Sequence, residues 1–418
     1  MANPTCALLC FTLLPALATA QSDNRDRITR TDGRVVEGRL ATPFATDEWL
    51  VVDGGKRTRV PVVEVATTDL VKDRVAEFFA RRWRHRRSTR ALGYLVDWAE
   101  RRELHGLARL QALELVLQDD DNARLHEFLG HKRRGGEWRW PHDGKWLSFD
   151  KLTAAMLDTP LRLPGERFSL RCDAGLLTNV RALLDLERLA VAWFDEFGKE
   201  LALREVLAPI EIRTFRNANA FPKWGFRPRP YFVPPPHDDL GRTFYAGPAP
   251  ERPEDLFFLG TQGLLYRTLI GQGNRQDSRD RVCAWLEIGL GMHMQARMQG
   301  DAGFARPEKP RHLDLRALQA LGRGYRLTHL VHLPMYASFY LTDDTHTATN
   351  WAAAQMFTAW LLDGDKQPAT RAKFFSYAKA ALRERKGDSS SLFDRIMGQR
   401  IEALEPAFHS WLNQLAGN

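Results

Sequence analysis

The hydrophobic period of this chain first changes near Thr68, and that change limits the folds open to it. Before it, the β-branched runs "RITRTDGRVVEGRL" and "EWLVVDGGKRTRVPVVEV" are cut by Asp32-Gly33 and Asp53-Gly54-Gly55. These dipeptides supply the positive φ that tight hairpins need, so the runs read as antiparallel strands. After it, Val71, Val75, Phe78, Phe79 and Trp83 recur at helical spacing. Leu92, Leu95, Trp98 and Ala99 do the same, and so do Leu107, Leu110, Leu113, Val116 and Leu117. Short strand runs here, and a strand–helix–strand followed by helices further on, indicate an α+β chain.

The 418 residues are too many for one ordinary core, so several units are expected. Residues 25–67 carry about four short strands and fit a small SH3-like β-barrel. Residues 68–132 form a helical spacer, whose fourth helix starts in "DDDNARLHEFLG" with Asp or Asn as N-cap. Within it, "ALGYLVDWAERRELHGLARLQALELVLQ" resembles one tetratricopeptide-type helix pair. A single unit cannot build a solenoid. Residues 133–158 place Trp138, Trp140 and Trp146 around Asp143-Gly144, an aromatic hairpin read as glue against a helical neighbour. Residues 163–418 begin with a strand in "ERFSLRCDA", a long helix in "LLTNVRALLDLERLAVAWFDEFG" and a strand in "APIEIRTFRN". A proline-rich loop, "FRPRPYFVPPP", and an edge strand, "RTFYAGP", come next, and the remainder is helical.

The first twenty residues, "MANPTCALLCFTLLPALATA", carry no charge. An apolar run, a proline and "ATA" before Gln21 read as a signal peptide over 1–20, which implies export to the periplasm or the exterior. No later segment is apolar for the ~20 residues that a membrane span requires. Export permits a disulfide, and Cys172 with Cys283 can be read either as a bridge or as two buried thiols. The net charge of +8 favours anionic surfaces, but nucleic acid is not the expected partner of an exported chain.

Two apolar segments frame the functional question. "FFLGTQGLLYRTLIGQ" starts at Phe257, and "CAWLEIGLGMHMQ" starts at Cys283. Their order, with the strand–helix–strand before them, resembles the peptidase domain of gluzincin-type zinc metallopeptidases of exported bacterial proteins. The resemblance covers residues 165–415 in pattern. In that family an H-E-x-x-H helix supplies two zinc-binding histidines and a base, and a later W-L-x-E-G helix supplies a third ligand. Placing "TQGLL" on H-E-x-x-H puts Thr261 and Leu265 at the histidine positions and Gln262 at the base. Placing "WLEIGLG" on the second motif puts Ile288 at the third ligand, with Glu287 one residue early. Thr and Leu cannot replace imidazole, and a neutral amide has no useful basicity. The resemblance therefore implies a pseudopeptidase whose vestigial positions are Thr261, Gln262, Leu265, Glu287 and Ile288, with no cofactor.

Other constellations are weaker. His126 and His131 in "LHEFLGHK" are five residues apart, a helical spacing that turns their rings about 140° away from each other. His329 and His332 in "RLTHLVHLPMY" can share a helix face. With Asp343 and His346 they form the alternative cluster for a hydrolase with a relocated site. The basic run "RRWRHRRSTR" over 81–90 reads as a solvated helix end, and its other reading is a contact for anionic polymer or phospholipid. The expectation is an exported, non-catalytic pseudopeptidase that binds a peptide or protein of the cell envelope or acts as scaffold. A glycan- or anionic-polymer-binding adhesion protein is the remaining alternative.

Overall fold

The computed structural model describes residues 24–119, 121–216, 253–270, 283–298, 324–333, 338–339, 344–364, 367–384 and 389–416. Residues 1–20, read as a signal peptide, the segments "FRPRPYFVPPP" and "RTFYAGP", and Asp343 lie outside the described residues. The architecture is α+β, with strands gathered in three small sheets and helices over the rest.

The first unit holds five strands: β1 (Asp26–Arg30), β2 (Val35–Leu40), β3 (Glu48–Asp53), β4 (Lys56–Pro61) and β5 (Val65–Asp69). A 3-10 turn, Val62–Glu64, joins the last two. The order is β4-β3-β2-β1-β5, antiparallel throughout, and the ladder does not close between β4 and β5. A closed barrel, expected from the sequence, is therefore not present, and the sheet has one strand more than the four expected. Asp32-Gly33 and Gly54-Gly55 turn the hairpins, with positive φ at Gly33, Gly54 and Gly55. Ile28, Leu40, Val51, Val60 and Leu70 give this sheet its own apolar cluster.

Four helices follow: α1 (Val71–Arg84), α2 (Thr89–Arg101), α3 (His105–Val116) and α4 (Ala123–Phe128). The Asn122 side chain caps α4 by accepting from Leu125 N at 3.2 Å. The tryptophan segment forms β6 (Lys132–Arg134), β7 (Glu137–His142) and β8 (Lys145–Leu147), and α5 (Phe149–Ala155) comes next. The β7–β8 turn has positive φ at Asp143 and Gly144, as that dipeptide requires. A second three-stranded sheet has the order β11-β10-β9, from β9 (Leu161–Pro164), β10 (Phe168–Cys172) and β11 (Ile210–Thr214). β10 is parallel to β11 and antiparallel to β9, and α6 (Leu176–Phe197) makes the parallel crossover. The helices α7 (Pro253–Leu265) and α8 (Ala284–Met298) follow. Beyond them are α9 (Leu327–Val331), α10 (Asp344–Ala359), α11 (Pro368–Lys379), α12 (Ser389–Met397) and α13 (Glu405–Ala416). One apolar cluster runs from Val71 in α1 to Leu412 in α13, so the spacer, the tryptophan hairpin and the C-terminal helices share a continuous core. Cys172 and Cys283 are both buried, and no disulfide joins them.

Charge is buried where these units meet. Arg167, just before β10, donates Nε and Nη2 to the two carboxylate oxygens of Glu205 at 2.7 and 3.0 Å. Glu187 on α6 accepts from the backbone N–H groups of Arg167 and Phe168 at 2.8 and 2.9 Å. Burial pushes the Glu187 carboxyl up to about 7, against the pull of Arg167. Burial also acts upward on Glu205, yet the Arg167 guanidinium holds that carboxyl below its ordinary range. Glu166 accepts from Leu107 N, in the first turn of α3, at 3.2 Å. Asp26 accepts from Val71 N, at the start of α1, at 2.6 Å, and from Leu40 N at 2.7 Å. The residues before α1 and α3 are Leu70 and Leu104, which have no side chain able to cap. Remote carboxylates therefore satisfy helix-start N–H groups that no local side chain reaches. The β unit joins the same place, because Glu205 N donates to Ala41 O at 3.0 Å and Arg39 Nη2 donates to Val206 O at 3.1 Å.

Removing one partner of a buried pair strands the other charge. Arg167→Met is expected to cost about 3–5 kcal/mol in urea denaturation, and Arg167→Met with Glu205→Leu is expected to recover a large part of it. Equal losses in the single and double variants would contradict this account of the junction.

Candidate functional site

The helices α7 and α8 lie against each other. A Cβ placed on Gly291 would meet the Phe258 ring at 2.6 Å, so the glycine is what lets the two helices come this close. On its other sides α7 meets α6, where a Cβ on Gly260 would fall 2.6 Å from Leu186. A Cβ on Gly289 would fall 2.6 Å from Ala354 O, so α8 is also close to the backbone of α10. Each helix of the pair is thus enclosed by helical neighbours.

The five vestigial positions sit inside this packing. Thr261, Leu265 and Ile288 are 0% exposed, and Gln262 and Glu287 are 4% exposed. Thr261 Oγ1 donates to its own helix at Phe257 O, 2.7 Å away. Glu287 accepts from Tyr266 Oη at 3.1 Å, in the π-helical turn Tyr266–Ile270 that ends α7. The next hydroxyl along, Thr268 Oγ1, accepts from Trp193 Nε1 of α6 at 3.1 Å. A hydroxyl already bonded to its own backbone and two aliphatic side chains offer zinc no donor set. The zinc of a gluzincin does not fit these residues.

The alternative histidine cluster is not assembled by the described residues. His329 lies in the short helix α9, and His332 is the residue that ends it. Both are exposed, as is His346 in the first turn of α10. Tyr325 stacks edge-on to His329, with ring centroids 6.0 Å apart. Among the described residues, no three His, Cys, Asp or Glu side chains converge as a metal site would require.

Two histidine arrangements were not foreseen. His126 and His131 do not diverge: their Nδ1 atoms are 2.8 Å apart. The helix ends at Leu129, Gly130 takes a φ of +77°, and His131 N donates back to His126 O at 2.9 Å. The reversal at Gly130 brings the second ring under the first. A ring stacked on Trp138 (4.3 Å, 3° between planes) and one against Trp140 (3.9 Å) complete the stack. One Nδ1 donates to the other, so the two rings cannot both be protonated at those nitrogens. Burial lowers the His131 imidazole to about 3, helped by the charges of His126 and Arg109. These contacts fasten the tryptophan hairpin to α4, and the helix-ending cap at Gly130 is legible in the sequence, whereas the ring pairing is not.

The second arrangement is a largely buried trio that joins the end of α6 to the second half of α8. His293 Nε2 lies 2.9 Å from Glu196 Oε1, and Arg297 pairs with Glu196 and with Asp195 Oδ2, the latter at 2.9 Å. These residues are 97 to 102 positions apart, and no local motif announces them. A histidine–carboxylate pair can serve an acid/base role. Here the same carboxylate is also tied to Arg297, and the trio fastens α8 to α6.

The His131 imidazole is neutral in the fold and titrates near 6.5 when unfolded. The unfolded chain therefore binds the additional proton, and this stability is complete above about pH 6.5 and is lost as pH falls toward 3. Compared with His131→Phe, the wild-type protein should lose up to about 1.4 kcal/mol more per pH unit across that window in chemical denaturation. Parallel pH profiles for the two proteins would refute the assignment.

No family model matches the chain, and it has no match among curated proteins or solved structures.

Proposed function

We propose that this protein is an exported, non-catalytic relative of the gluzincin peptidases, in which the α7–α8 pair has become structural core. It binds a peptide or protein of the cell envelope or acts as scaffold. The observation that carries this reading is the burial of Thr261, Gln262, Leu265 and Ile288 between helices in near-backbone contact. A catalytic zinc keeps one coordination position open to water and substrate. Side chains that are 0–4% exposed belong instead to a packed interior.

Further features support parts of the reading. The strand order β4-β3-β2-β1-β5, with a 3-10 turn between β4 and β5, supports an SH3-like module despite the open ladder. The adjacent pair α2–α3 supports the tetratricopeptide-like description of the spacer. The uncharged leader at 1–20 supports export. No helix among the described residues is long and apolar enough to cross a membrane.

Elemental analysis of the purified protein after growth with added zinc tests the proposal. The expected result is zinc far below one per chain and no peptide hydrolysis. Stoichiometric, chelator-removable zinc accompanied by hydrolysis would overturn it.

A further inference from the structure

The connection between α1 and α2 is a strongly charged surface that the reading above leaves unused. Seven consecutive residues, Arg84 to Arg90, are exposed. The arginines around it divide into two sets. Arg81 is paired with Glu77 at 2.6 Å and Arg82 with Glu114 at 2.7 Å. Arg84, Arg86, Arg87 and Arg90 meet no carboxylate among the described residues.

The helix dipoles account for only part of this set. Arg84 lies in the last turn of α1, where a cation is favourable. Arg90 lies in the first turn of α2, which has no acidic residue, and Arg87 directly precedes the cap Ser88. A cation at a helix start opposes the dipole, and like charges on one tip repel. An anion brought to this tip would relieve both.

Aromatic side chains flank the guanidinium groups. Arg86 lies over the Trp83 ring at 4.0 Å and donates to Trp83 O at 2.9 Å. Arg90 donates to Tyr94 Oη at 3.2 Å, and Tyr94 is 58% exposed. Arg81 lies over Trp98 at 4.8 Å. Arginine beside Trp and Tyr is the composition of a lipid–water interface, where the cations meet phosphate and the rings sit at headgroup depth. A polysaccharide strand is usually held in a groove, and seven exposed residues in a row make a projecting tip.

We propose that the α1–α2 tip is a docking surface for bilayers that contain anionic phospholipid, with Arg84, Arg86, Arg87 and Arg90 as the phosphate contacts. The proposal is independent of whether the α7–α8 pair is vestigial. The test is co-sedimentation of the full-length mature protein with vesicles of phosphatidylcholine, alone or mixed with phosphatidylglycerol. Binding should require phosphatidylglycerol and weaken with salt. Changing all four arginines to Gln should reduce it by about 100-fold or more, since each cation near an anionic surface contributes roughly a factor of five. The control variant Lys56→Gln, Arg57→Gln, Arg133→Gln and Arg134→Gln removes the same charge elsewhere and should bind as wild type. Circular dichroism checks that both variants are folded. Three results would overturn the proposal: no binding to the mixed vesicles, equal losses in the two variants, or binding to soluble dextran sulfate at protein concentrations that leave the vesicles bare.

Discussion

The two-pronged bond between Arg167 and Glu205 is the interaction that the architecture leans on. It sits where the β unit, the helical spacer and the β9–β11 sheet converge. Around it, Glu187, Glu166 and Asp26 accept from backbone N–H groups that would otherwise be orphaned inside the protein. A buried charge is costly unless it is paired and hydrogen-bonded. Here the carboxylates earn their burial by acting as remote caps for α1 and α3 and as acceptors for the turn into β10. The consequence is geometric, because a carboxylate that caps a helix from a distant segment fixes where that helix starts relative to that segment. The three units are thereby held in one arrangement by directional bonds, and the apolar cluster from Val71 to Leu412 fills the space between them.

Much of the fold was legible in the sequence, and the reasons are local. The Asp-Gly turns, the switch of period near Thr68 and the Asn122 cap are short-range signals with short-range causes. They anticipated the first hairpins, α1 to α4, and the β10–α6–β11 crossover. The strands β5, β6 and β9 were less visible. β6 and β9 are three and four residues long, and β5 is mostly exposed, so none shows a strong apolar alternation. Barrel closure was expected and is absent because closure depends on pairing between β4 and β5, which no local pattern encodes.

The candidate sites were legible to a different degree. That α7 and α8 are apolar segments was legible in the sequence. That Gly260, Gly289 and Gly291 face Leu186, Ala354 and Phe258 depends on segments far away in the chain. The His126–His131 pair shows how a correct local element can still mislead. The spacing angle holds only inside a helix, and the cap at Gly130, itself legible in the sequence, ends the helix before the second histidine. Helical angles stop applying where the helix stops. His293, Glu196 and Arg297 lay outside any motif, because a pairing across about a hundred residues leaves no periodic trace.

The central claim is that the segment resembling a zinc-site frame is interior structure. Amide hydrogen exchange read over residues 257–265 and 284–298 addresses it most directly, because exchange reports how often a packed segment opens. The account predicts that these two segments are among the slowest in the chain, and that neither zinc nor a chelator changes their rates. Fast exchange across Thr261 to Leu265, or protection that appears only with zinc, would contradict it.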